Sequence, residues 1–386
     1  MKATAYSLFF ASISFQLAFA GPDSQSVASM SPSLDEPETV WDRISLYGDL
    51  RLRYELDYDS VRGDGVTPRE DRNRFRTRAR LGIKFEPTDS WLFDVRVRHG
   101  NADSQQSPHV TWATDSGELG EQTDFMVDRL YLAWKHDAFS TRIGRQGLNY
   151  WKAHEMFWDD DVYIDGIAGS VPFSLHESEI TINTGAWFLP DGEDDHPWGQ
   201  RSGLIGAQGV LQRDVGQASK LTLADGLLFI LDEPDATNSV NDDVDYSIYS
   251  LSAQLRSDRW RIPFIIGGDY YHNFDEGPAG DPNAGDTEGF VTYVKFGDFD
   301  EPGDMQIGYV FSYIEKYSVA RFLAEDDFHR FGSLTQTRSS DFRGHEIRFA
   351  WRLREELTLV ARAYFVDTLS NEETGNRFRL DLDWKF

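Results

Sequence analysis

The last nine residues of the chain alternate apolar and polar side chains without a break. Phe378, Leu380, Leu382, Trp384 and Phe386 fall on one face of an extended strand, while Arg379, Asp381, Asp383 and Lys385 fall on the other. A face this aromatic, carried to a terminal Phe, suits a strand with lipid on one side and water on the other. The same period recurs upstream and predicts strands over 42–58, 72–85, 91–101, 124–135, 140–147, 161–171, 179–189 and 202–213. A second set follows over 219–231, 245–256, 259–272, 288–297, 304–316, 341–353, 356–367 and 376–386. Most approach the roughly 9 to 11 residues that a tilted strand needs to cross a bilayer. The predicted fold is all-β, an antiparallel transmembrane β-barrel of about sixteen strands, with eighteen as the alternative count. Strands 161–171, 202–213 and 219–231 have two apolar faces, so their facing stays open. Asp225 points inward only in the less apolar phase.

The connections alternate in length. After odd strands come longer segments, such as 60–71, 100–123 and 317–340, and after even strands come tight turns, such as 86–90 and 136–139. Short periplasmic turns and long extracellular loops are the habit of outer-membrane barrels, whereas a secreted β-sandwich binding protein, the rival of a different class, gives no reason for this rhythm. Trp91, Trp134, Trp260, Trp351 and Trp384 all fall at predicted periplasmic strand ends. Trp187, Tyr54, Tyr58 and Tyr313 fall toward the opposite rim, as interfacial girdles would.

Residues 1–20 have Lys2, an apolar run from Leu8 to Phe19 and an Ala18-Phe19-Ala20 cleavage pattern, which predicts a signal peptide. Residues 21–40, rich in Ser, Pro and acidic side chains, read as a flexible segment, leaving 41–386 as a single barrel domain in the cell outer membrane. The C-terminal strand ending in Phe386 is the expected handle for the barrel-assembly machinery. A mean hydropathy of −0.50 alone would suggest a soluble protein, but barrel strands hide their apolar residues by alternation. The absence of cysteine excludes disulfides and thiolate chemistry.

A barrel of this size encloses water, so the inward positions decide what passes. Here they are arginines. With Phe75, Thr77, Ala79 and Leu81 outward, Arg74, Arg76, Arg78 and Arg80 face the lumen; Arg51, Arg53, Arg96, Arg98 and Arg129 follow by the same alternation, as do Arg348, Arg352, Arg362, Arg377 and Arg379. Same-face neighbours stand about 7 Å apart and repel by roughly 0.6 kcal/mol even in bulk water. Asp49, Glu55, Asp57, Asp94, Asp381 and Asp383 share these faces and neutralise part of the ladder, yet the arginines outnumber them and leave a positive stripe. The chain has 30 Arg to 8 Lys, and Arg is the residue suited to two-pronged capture of carboxylates.

The net charge is nevertheless −27. The excess carboxylates gather in predicted external loops: Glu155 with Asp159, Asp160 and Asp161; Asp191 with Glu193, Asp194 and Asp195; 232–243; and Glu325, Asp326 and Asp327. Such loops read as a solvated surface. They could also hold Ca²⁺ or bridge to lipopolysaccharide through divalent cations, although none has EF-hand spacing.

Several segments resemble the alginate-export family of outer-membrane channels. They are Asn73-Arg74-Phe75-Arg76-Thr77-Arg78-Ala79-Arg80-Leu81-Gly82, Arg142-Ile143-Gly144-Arg145-Gln146 and Tyr163-Ile164-Asp165-Gly166. The resemblance implies a channel for an anionic uronate polysaccharide, with Arg142 and Arg145 joining the pore-lining set. Alternation places Arg142 and Arg145 on opposite faces, so either a bulge at Gly144 turns both inward or one lies outside the pore. Members known for alginate export have eighteen strands and a long periplasmic plug loop, whereas sixteen strands and short even connections are read here.

No H-E-x-x-H, G-x-S-x-G or P-loop pattern occurs, and the histidines are scattered, so neither an enzyme nor a cofactor is expected. The acidic balance disfavours nucleic acid. The expected function is passive, anion-favouring passage of acidic saccharides or small carboxylates through an outer-membrane porin. The rival is a general sugar porin whose arginines form one half of a transverse field.

Overall fold

The computed structural model describes residues 40–100, 105–106, 108–114, 123–189, 203–231, 244, 246–328 and 339–386. The expected signal peptide, most of the flexible segment and the acidic runs at 191–195 and 232–243 lie outside these residues. Among the described residues a short 3-10 turn (Val40–Arg43) leads into seventeen strands. They are β1 (Ile44–Val61), β2 (Arg72–Thr88), β3 (Trp91–Gly100), β4 (Val110–Thr114), β5 (Asp124–His136), β6 (Phe139–Gln146), β7 (Ile164–Leu175), β8 (Ser178–Phe188) and β9 (Gly203–Asp214). There follow β10 (Ser219–Leu231), β11 (Tyr246–Ser257), β12 (Phe264–Asn273), β13 (Glu288–Phe296), β14 (Met305–Ile314), β15 (Phe342–Arg352), β16 (Leu357–Thr368) and β17 (Thr374–Lys385).

Sixteen of them close an antiparallel ring, because β17 returns to pair with β1 from Asp49↔Lys385 to Val61↔Thr374. The seventeenth, β4, was not expected. It continues the line of β3 along the same edge of β2: β3 pairs as far as Arg98↔Arg80, and β4 resumes at Val110↔Thr77. Between the two strands, the side chains of Gln105 and Gln106 reach loops inside the barrel, as described below.

The outer face is apolar. Leu46, Phe75 and Ile143 are 65%, 56% and 56% exposed, in company with Leu52, Leu81, Leu132, Ile205, Phe229, Ile266, Ile307, Ile347 and Phe365. Left in water, a band of this size would be strongly unfavourable, and hydrocarbon removes the cost. No helix among the described residues is long and apolar enough to cross a membrane, so crossing falls to the strands. At the periplasmic rim Trp91 stacks on Trp134 with ring centres 5.9 Å apart. Near the other rim Tyr54 packs on Phe75 and Tyr313 on Phe290. Trp187 departs from expectation: it points inward and is 2% exposed.

The inner surface has two characters. On β1, β2, β3, β5, β15, β16 and β17 it is charged. On β7 to β14 it is mostly small, apolar or neutral, and there two loops fold in from the extracellular side. The first (147–163) brings Leu148, Tyr150, Met156, Phe157, Trp158 and Val162 against wall residues that include Trp187, Leu204, Leu228, Ile248 and Tyr271. The second (315–328) adds Tyr317, Val319, Leu323 and Phe328, the last packed on Phe342 and Tyr364. This explains the double apolarity of β9 and β10. Leu204, Leu228 and Ile230 pack in the cluster of the first loop, while Ile205, Leu223, Leu227 and Phe229 meet lipid. Asp225 shares the outer face with Leu223 and Leu227, because the inner phase is taken by that packing.

Candidate functional site

Register brings opposite charges together where the barrel closes. The pairs Arg51↔Asp383, Arg53↔Asp381, Glu55↔Arg379 and Asp57↔Arg377 stand side by side on the inner face of β1 and β17. All four are bonded, with Nε–carboxylate distances of 2.5, 2.7, 2.8 and 2.7 Å in that order. Glu55 is fully buried and also meets Arg74 and Arg76 of β2. On the other flank Arg96 bonds Asp128 at 2.7 Å, while Arg129 meets Asp94 at 3.3 Å and donates to the hydroxyls of Tyr47 and Tyr163.

The remaining expected pore residues are placed as follows. Arg98 and Arg348 are buried on the inner face. Arg142 pairs with inward Ala133 of β5. Arg352 sits at the periplasmic end of β15 and donates to the carbonyls of Phe299 and Glu355. Arg145 is a correction. It pairs with outward Leu130, neighbours exposed Ile143, and bonds Asp165 on the outer face at 2.7 Å. Gly144 has φ +119 and lies between Arg142 and Arg145 without inserting an extra residue, so alternation holds and only Arg142 faces inward.

A second correction concerns the acidic loops. Glu155, Asp159 and Asp161 belong to the first inserted loop, and Glu325, Asp326 and Asp327 to the second, so these runs are folded against the arginine wall. Asp161 receives Arg78 Nη1 at 2.8 Å and Arg80 Nη1 at 2.6 Å. Asp327 meets the Nη1 atoms of Arg379 and Arg362, and its carbonyl accepts Arg377 Nη1 at 2.7 Å. One pattern runs through four of these arginines, and Arg362 follows it only as ion pairs of 3.5 Å to Glu346 and 3.6 Å to Asp327. The Nε edge is spent on a wall carboxylate: Asp49 for Arg78 and Arg80, Glu55 for Arg379 and Asp57 for Arg377. The Nη1 edge looks into the lumen and is met by a loop oxygen. The positive stripe read from the sequence is therefore compensated twice, by the wall and by the loops.

The two loops form one unit. The amide of Asp159 donates to Leu323 O at 2.7 Å, and Glu325 N to Met156 O at 3.4 Å. Gln106 donates to the carbonyls of Arg321 and Ala324, and the Gln105 side chain accepts from Tyr163 N at 2.9 Å. Against the wall, Asp269 accepts the amides of Ala153 and His154. Below this unit a cavity of about 150 Å³ is lined by His154, Glu155, Glu325, Glu346, Arg348 and Arg362 among others.

Electrostatics divides the loop acids into two kinds. Burial opposes ionisation of Asp161, but Arg78 and Arg80 outweigh it and hold the carboxyl at about 2. Asp327 is likewise buried, and Arg379, Arg53 and Arg362 hold it well below the usual range. Burial and then Asp160 push Glu155 up to about 8, and burial together with Glu155 raises both Asp159 and Glu325. Burial and the nearby Lys295 push His154 down to about 3, so it is neutral at ordinary pH.

Sequence reasoning missed Asp128, Tyr47, Tyr163, Gln105 and Gln106 as partners of this assembly. A signal for the inserted loops was present: Met156-Phe157-Trp158 and Phe322-Leu323-Ala324 are too apolar for loops surrounded by water. Among the described residues no group of three or more His, Asp or Glu side chains converges as metal ligands would.

A family model described as putative porin matches residues 61–202. Among solved structures, OprB of Pseudomonas putida at high pH is similar in fold, with a TM-score of 0.58 and 11% identity over 90% of this chain and 95% of that one. The fold is that of an outer-membrane porin. OmpF of Salmonella typhi, in a complex with daunomycin, gives a TM-score of 0.52 and 12% identity over 89% of this chain and 97% of that one. No curated protein matches the sequence. Taken with the apolar outer band, this makes the chain an integral outer-membrane barrel with a porin fold. The likeness to alginate exporters rests on its short motifs alone.

Proposed function

We propose that this barrel is a passive outer-membrane channel that favours anions, passing acidic saccharides of the uronate type or small carboxylates. The observation that carries this reading is Asp161 held between Arg78 and Arg80, whose Nη1 atoms converge on one carboxylate from alternate positions of β2. Charge-assisted pairs of this geometry select carboxylates. The wall arginines, with Arg98 and Arg142 beside them, extend the track. Passage needs no cofactor and no energy coupling; size and the arginine field select.

The test is the reversal potential in planar bilayers under a salt gradient, with galacturonate oligomers as blockers. The parent should prefer anions. Arg78→Gln combined with Arg80→Gln should bring the permeability ratio toward unity and weaken the block, with heat-modifiable gel mobility checking that the barrel is folded, because Asp49 loses both its partners. Cation preference in the parent would defeat the reading. A second reading is favoured by the loop acids facing the arginine wall, which set a transverse field across the lumen: a general sugar channel. Neutral maltooligosaccharides blocking as strongly as uronates would select that reading.

A further inference from the structure

Four arginines on β2 and β17 share one division of labour, with Nε on a wall carboxylate and Nη1 on an oxygen of an inserted loop, and Arg362 of β16 stands between Glu346 and Asp327 at the longer ion-pair distances of 3.5 and 3.6 Å. The wall partners already satisfy the fold, so the loop oxygens occupy the edge that a solute would meet. Arginines moreover hold both Asp161 and Asp327 in the ionised form. Each thus presents the same charged, two-oxygen group as a uronate.

We propose that Asp161 and Asp327 are built-in surrogates for substrate carboxylates, occupying two anion subsites that a ligand bearing several carboxylates takes over by displacing the loops. This deepens the functional reading above and rests on it. The lower subsite is Arg78 with Arg80, and the upper is Arg362 with Arg377 and Arg379. Their separation follows from register. Arg78 is level with Arg51, and Arg379 is level with Glu55, four residues further along β1. That rise is roughly 13 Å, and the two or three inter-strand steps from β2 to β17 and β16 add roughly 10 to 14 Å sideways. A ligand filling both subsites must therefore carry carboxylates several sugar units apart, which favours an oligouronate over a monomer. Mass action points the same way. A tethered loop carboxylate competes at an effective concentration in the millimolar range, so a monomer contesting one subsite is at a disadvantage that a chain engaging both overcomes.

The experiment compares the full-length parent with Asp161→Asn, Asp327→Asn and the double variant in planar bilayers. Tetragalacturonate and monomeric galacturonate serve as probes, and heat-modifiable gel mobility reports folding. Wall carboxylates are untouched, so the barrel should fold. In the double variant the half-blocking concentration of tetragalacturonate should fall about tenfold, ligand-free conductance should rise, and the gain for the monomer should be smaller. Each single variant should move part of the way, which keeps the test available if the double variant does not fold. A half-blocking concentration within twofold of the parent in folded variants overturns the inference, as does an equal gain for monomer and tetramer. A parent that tetragalacturonate does not block overturns the functional reading as well, whereas a blocked parent with unshifted variants overturns only the surrogate role.

Discussion

Glu55→Gln should lower the stability of the folded barrel by about 3 to 5 kcal/mol, the cost of stripping one partner from a buried ion cluster. Glu55 is fully buried and faces three guanidinium groups: Arg74 and Arg76 of β2, and Arg379 of β17 at 2.8 Å. It therefore ties both neighbours of β1 at the seam where the ring closes. The amide that replaces it keeps the volume but loses the charge, leaving three cations repelling one another in a poorly hydrated place. Urea unfolding in phospholipid vesicles, followed by tryptophan fluorescence and gel mobility, measures the loss. Arg145→Gln is the contrast, because the Arg145–Asp165 pair is half exposed on the outer face and such pairs contribute about 0 to 1 kcal/mol. Equal midpoints for Glu55→Gln and the parent would show that the seam does not depend on this carboxylate.

Channel conductance should rise as pH increases from about 5 to about 8. The docked loops hold Glu155, Asp159 and Glu325 with carboxyl pKa values above their ordinary range, in the case of Glu155 at about 8. A group of this kind binds its proton more tightly in the docked state. Its contribution to docking is therefore complete below the ordinary carboxyl range near 4.3 and is lost as pH climbs through the docked value. Asp161 and Asp327 have the opposite sign: their pairs are lost only as pH falls toward about 2 for Asp161, with Asp327 also held well below the usual range, so they do not compete in this window. Around Glu155 and Glu325 stand Lys152, Asp160, Asp326, Asp327, Glu346 and Arg362, with His154 neutral beside Glu325 at 3.6 Å. Four cations, Lys152, Lys295, Arg348 and Arg362, face this region and are outnumbered by its acids, so deprotonation leaves the place where the loops meet with surplus negative charge. Glu155→Gln with Glu325→Gln should flatten the pH response and keep conductance at its low-pH level. A parent conductance that is flat, or that falls, between pH 5 and pH 8 would refute the assignment.

Alternation read from the chain placed fifteen of the sixteen staves within about four residues of their observed bounds, and the sixteenth, expected from 259, begins at Phe264. Lipid demands an unbroken apolar face and the pleat repeats every two residues, so each strand carries its own record of which side meets the membrane. The inward arginines of β1, β2, β3 and β17 were legible for the same reason. Asp225 was not, because on β10 the inner face is also apolar and period alone cannot rank two greasy faces; Trp187 shares the inward phase of Asn183 opposite Ile182 and Phe188, so alternation puts it inward against the rim place that its indole suggested. What only the tertiary structure decided is the company those arginines keep. Asp161 reaches Arg78 across 83 residues of sequence, and Glu155 and Glu325 meet from separate loops. Contacts of that kind are chosen by closure of the ring and by burial of Trp158, Leu323 and Phe328 inside it, which no local pattern encodes.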